Sequence, residues 1–167
     1  MQRLTNDEPH GQITLSGVSA ERVGGADAVA FLCDRVELGL CAEQLGVAET
    51  ALKLTSTYVA TRKQFGVPIG SFQAVSHRAA DAYIDIRAMQ ATLWQAAWRL
   101  AEGRPAEREL AIARIWAADG GHRVVSAAQH LHGGMGFDRD YPLHRFFLAT
   151  KRIEFTLGGA AAHLETL

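Results

Sequence analysis

What the chain lacks narrows the choices first. Cysteine is scarce: only Cys33 and Cys41 occur. If that region is helical, their spacing parts them by about 12 Å, too far for a disulfide. A reducing, cytoplasmic setting is the expectation. No uninterrupted apolar run reaches the roughly 18 residues a membrane helix needs, and Met1 to Pro9 is polar, without a signal-peptide core. An excess of charge of one sign is also missing. With 17 Lys and Arg against 18 Asp and Glu, no basic field is present to gather nucleic acid. What is there is apolar: 48% of the 167 residues are hydrophobic and 21% charged, which excludes a disordered polymer and suits one domain.

Residues 1–25 differ from the rest. His10 to Val18 alternates polar and apolar, with Ile13 and Leu15 on one side, and predicts a short strand. One strand cannot satisfy its own backbone, so the expectation is the remnant of a sheet, in a fragment or in a chain that leans on a partner. Gly24-Gly25 then breaks the chain, and residues 26–167 read as a helical bundle. A first stripe runs Leu38, Cys41, Leu45, Ala48, Leu52, Thr55, Val59 and stops at Arg62 to Gly70. A second stripe runs from Val75 through Ile86 and Leu93 to Leu100. A third helix, roughly Ala106 to Leu131, presents small residues such as Ala113, Ala117 and Gly121, which allow close helix approach. A shorter helix starts near Leu143, and Gly158-Gly159 precedes a stub. The fold class is therefore all-α, an antiparallel four-helix bundle with a short N-terminal strand remnant.

Two loops carry chemistry. One is Arg62-Lys-Gln-Phe-Gly-Val-Pro-Ile-Gly-Ser-Phe-Gln73, the other Gln129-His-Leu-His-Gly-Gly-Met-Gly-Phe137 with Tyr141-Pro142 behind it. Arg62 is a permanent cation with a planar fork suited to pyrophosphate, Gln64 offers an amide, Phe65 an apolar face, and Gly66 a tight turn. Taken alone, the first loop also fits a plain turn and the second a glycine C-cap. Together, and in this order on a helical frame, they resemble the C-terminal helical domain of the flavin-dependent acyl-CoA dehydrogenases over about residues 26–160. Residues 12–25 are similar to the closing strand and linker of that family's middle β-domain. The resemblance implies that Arg62, Gln64, Phe65 and Gln73 contact FAD held mainly by a neighbouring subunit. It also implies that Gly133 and Gly134 pass close to the cofactor. His130 stands where the family has glutamine, with Gln129 one residue earlier as the alternative contact.

The family's reaction is α,β-dehydrogenation of an acyl-CoA thioester, and it needs a carboxylate to take the α-proton. The two positions at which members carry that glutamate are occupied here by Leu157 and Val36, and the arginine that usually follows the second is Glu37. Neither leucine nor valine titrates. Some actinobacterial relatives acting on sterol side-chain thioesters combine two different polypeptides as α2β2 tetramers, only one of which keeps the base. The chain resembles the base-lacking partner, contributing FAD contacts and oligomer surface. The implied partners are acyl-CoA through the assembled enzyme, a homo- or hetero-oligomer with another subunit of this family, and an electron-transfer flavoprotein as acceptor. Alternatives are a self-sufficient dehydrogenase fragment with Glu154 as base, or a non-enzymatic oligomerisation bundle. A metal bundle is weakly supported, because Asp119-x-x-His122 has no matching second helix and His130 and His132 do not share a helix face. Trp94, Trp98 and Trp116 read as core or interface. Arg139, His144, Arg145, Lys151 and Arg152 read as a solvated face or a phosphate contact.

Overall fold

The computed structural model describes residues 2–3, 8–164 and 167. Six α-helices follow in order: α1 (Ala26–Thr61), α2 (Gln73–Ala101), α3 (Glu107–Ile115), α4 (Gly121–His132), α5 (Leu143–Leu157) and α6 (Gly159–Leu164). Two-residue strands pair at the N-terminus, β1 (Gln2–Arg3) with β2 (Pro9–His10), and between α1 and α2, β3 (Lys63–Gln64) with β4 (Val67–Pro68). Among the described residues no helix is long and apolar enough to cross a membrane.

The apolar stripes become the core. Cys41, Leu45 and Ala48 of α1 meet Ile86, Met89 and Leu93 of α2, Leu110 and Ala113 of α3, Val124 of α4 and Ile153 of α5. Direction along each helix follows from the partners. Gln44 of α1 lies at Gly121, whereas Tyr58 stacks on His132, so α1 and α4 run parallel. Met89 of α2 lies against Gly120 while Asp85 binds Arg123, so α2 runs opposite to α4. Thr150 of α5 bonds Gln44 while Leu143 packs on Ala51, so α5 runs opposite to α1. The bundle is up-down-up-down.

The third rod departs from a plain helix. Between α3 and α4, residues Trp116–Gly120 form a π-helical turn. The widened turn inserts backbone where Gly120 meets Met89 and Gly121 meets Gln44, contacts that side chains at those positions would block. The strand expected over 10–18 is not formed. Beyond His10 the chain has no regular structure up to Gly25, and Ile13 and Leu15 are exposed. A strand requires a neighbour for its backbone groups, and the described residues provide none there. The two cysteines are free, Cys33 exposed and Cys41 buried. Burial pushes the Cys41 thiol up to about 12; Arg114 opposes that rise and Glu37 adds to it.

Candidate functional site

The alternating helix directions bring the loop after α1 and the loop after α4 to one end of the bundle. The first is a hairpin. Lys63 faces Pro68 and Gln64 faces Val67, which leaves Phe65-Gly66 as a two-residue turn. Both turn residues have positive φ, 53° at Phe65 and 82° at Gly66, as hairpin twist demands. Glycine adopts this freely. Phenylalanine does not, and Phe65 is the one non-glycine residue with positive φ among the described residues. Its ring is 92% exposed, with an edge contact to Phe72. Arg62 ends α1: its N–H donates to the Tyr58 carbonyl, and its own carbonyl accepts from Ile69 N–H, both at 2.8 Å. The Arg62 guanidinium is exposed and unpaired among the described residues. Gln73 opens α2 and is exposed.

In the second loop, Gly133 ends α4 with φ 60° and donates its N–H to the His130 carbonyl. Gly134 faces open space, so a side chain there would meet nothing of this chain. Within the chain itself the tight contact is at Gly136, whose added Cβ would lie 2.8 Å from the Gln129 carbonyl oxygen. His130 is exposed, whereas Gln129 is half-buried. Gln129 lines a cavity of about 370 Å³ with Phe137, Arg139, His144, Phe147 and Leu148.

Sequence reasoning gave His132 no role in this loop. It is buried, at 3% exposure. Its Nδ1 lies 2.8 Å from the Ala128 carbonyl and its Nε2 3.0 Å from the Tyr141 hydroxyl. A carbonyl only accepts, so Nδ1 carries the proton and Nε2 accepts from Tyr141. The ring stacks on Tyr58 at 4.4 Å and 21° and tilts against Tyr141 at 5.2 Å. Burial lowers its pKa below the ordinary 6.5, against the opposing pull of the Ala128 carbonyl. Burial likewise raises the Tyr141 phenol, with a smaller push from Tyr58.

The other candidates fall elsewhere. Val36 is 60% exposed on the first turns of α1, and Leu157 is buried in the core. Glu37 pairs with Arg114 at 2.6 Å. The Glu154 carboxylate lies 2.8 Å from Lys151 Nζ, which also reaches His122. Arg152 pairs with Glu43 and Glu8, so much of the basic charge on α5 is neutralised within the fold. Trp116 is partly buried against the core, while Trp94 and Trp98 are exposed on α2.

Known proteins share this helical fold. A family model described as acyl-CoA dehydrogenase, C-terminal domain, matches residues 32–167. Acyl-CoA dehydrogenase FadE27 of Mycobacterium tuberculosis is 47% identical over 94% of the chain and 45% of its own length. The ChsE4-ChsE5 complex from the same organism contains a chain 52% identical, with TM-score 0.84 over 87% of this chain and 40% of that one. A variant of the Tcur3481-Tcur3483 steroid ACAD is 49% identical, with TM-score 0.82 over 86% and 40% respectively. The chain thus spans less than half the length of these relatives.

Proposed function

The chain belongs to the acyl-CoA dehydrogenase family, as its C-terminal helical domain, and from that premise we propose that it serves an FAD-dependent enzyme that desaturates acyl-CoA thioesters between Cα and Cβ. Its part is to grip the cofactor and supply oligomer surface. The observation that carries this reading is the bundle end where Arg62 stands unpaired beside a hairpin that holds Phe65 outward in a left-handed turn. A chain folding for itself gains nothing from an exposed phenylalanine in that conformation. A purine or flavin face in a neighbouring subunit would use it.

The residues present fit FAD. Arg62 offers a free guanidinium for the pyrophosphate, and Gln64, Gln73 and His130 offer exposed polar groups. Gly133 and Gly134 leave the backbone open, and Gln129 faces the adjoining cavity. When bound, FAD supplies the hydride acceptor. The α-proton must go to a carboxylate, and Val36 and Leu157 provide none. Glu154 is not assigned, because its carboxylate is engaged by Lys151. The base therefore comes from a second subunit of this family. Exposed Ile84, Trp94 and Trp98 on α2 support the oligomer reading. Similarity to a two-component complex and to a steroid enzyme favours a hetero-oligomer acting on a steroid-linked thioester. An electron-transfer flavoprotein in the cytoplasm is the acceptor we infer. Residues 1–25 are read as the remnant of a middle β-domain and its linker.

Titration of the assembled protein with FAD tests this. The wild type should bind stoichiometrically, and Arg62→Ala should weaken binding roughly 10–100-fold, the worth of a charge-assisted contact of about 1.5–3 kcal/mol. Failure of the wild-type assembly to take up flavin would favour the non-enzymatic bundle. Activity of the chain alone that Glu154→Gln abolishes would restore the self-sufficient reading.

A further inference from the structure

The tips of both flavin-facing loops lack buried side chains, and burial begins only at their inner ends, where Ile69 and Tyr141 are half-buried. Residues 61–67 and 137–140 are exposed. What lies between them is the buried ring of His132. On one side it stacks on Tyr58, whose carbonyl fixes the Arg62 amide and hence the start of the hairpin. On the other, Nε2 accepts from the Tyr141 hydroxyl, and Tyr141 closes the second loop through its N–H to the Asp138 carbonyl and its own carbonyl to His144. A leucine would fill the space, but only a ring with two nitrogens makes both bonds while stacking.

We propose that His132 is a positioning residue: clamped between Tyr58 and Tyr141, it fixes the Arg62 hairpin and the 133–141 loop relative to one another and so sets how tightly the assembly holds the dinucleotide. The last clause rests on the flavin-contact reading above; the coupling of the loops does not. His132 need not touch the cofactor for this role.

Tyr141→Phe removes only the hydroxyl and His132→Gln removes the stacked ring, so the pair survives a folding failure in either. Amide hydrogen exchange and FAD affinity are measured on the assembled protein, with Ile153→Val as a core control far from the loops. The proposal expects faster exchange in both 62–72 and 133–141, with 82–96 unchanged, and FAD binding weakened about tenfold in both loop variants. The control should lower stability without moving either readout. Exchange rising in one loop only, or equally throughout the chain, overturns the proposal. So does an unchanged FAD affinity where Arg62→Ala still weakens it, an outcome that leaves the flavin reading intact. Loops that loosen together while no variant, Arg62→Ala included, alters flavin binding would instead sink the flavin reading and the last clause with it.

Discussion

Gly121→Ala separates two lines of reasoning by sign. Glycine inside a helix is disfavoured against alanine by roughly 0.8–1 kcal/mol, so propensity alone predicts stabilisation. The tertiary structure predicts the reverse. An added Cβ would lie 2.1 Å from Gln44 Nε2 and 2.6 Å from its Cδ. Gln44 is fully buried, and its Nε2 donates to Thr150 Oγ1 at 3.0 Å. Displacing it costs about 1–3 kcal/mol of overpacking, and a further 1–3 kcal/mol if the buried polar groups lose their bond. After the propensity gain, the net loss with the bond broken is about 1–5 kcal/mol, or roughly 2–20 °C in Tm for a domain of this size. Denaturant melts followed by circular dichroism give the value. In a Gln44→Ala background the obstruction is gone, and Gly121→Ala should become neutral or stabilising, which is a double-mutant cycle with strong coupling. A stabilised single variant, or equal effects in both backgrounds, would refute the packing argument.

Phe65→Asn should leave the isolated chain equally stable, or more stable by about 0.5–1 kcal/mol, because asparagine tolerates the left-handed turn. It should also weaken flavin binding by the assembly, and a loss of stability would show the strain argument to be misplaced. Thiol labelling of the native protein near neutral pH should modify exposed Cys33 quickly and spare Cys41, whose thiol is buried and raised to about 12; rapid uptake of two labels would contradict this. Native His132 resists protonation, while the unfolded imidazole protonates near 6.5. Stability should therefore be fully present above that pH and fall below it, by at most about 1.4 kcal/mol per pH unit, until pH passes the depressed native value. The fall between pH 6.5 and 5.5 should be shallower in His132→Gln, as equilibrium denaturation at each pH would show.

The sequence by itself determined the helices and their inward faces. Apolar spacing of three and four residues needs only the helical repeat to become a buried stripe, as in Leu45, Ala48 and Ile86. The breaks were legible for the same local reason: Gly25 before α1, Gly133 after α4 and Gly158 after α5 are all helix-flanking glycines, and the last two have positive φ. The two loops also carried their family pattern openly. Other features depend on what lies across a contact, which residue types do not record. The π turn at Trp116–Gly120 is invisible because Ala113, Ala117 and Gly121 keep a helical interval on either reading. The strand expected near Ile13 failed because alternation provides a face but no neighbour. His132 looked like one more residue before two glycines until the fold set Tyr58 and Tyr141 against it from separate segments. Short-range chemistry was written in the chain; pairing across the bundle, which fixes Gln44 on Gly121 and joins the two loops, came from helices packing side by side.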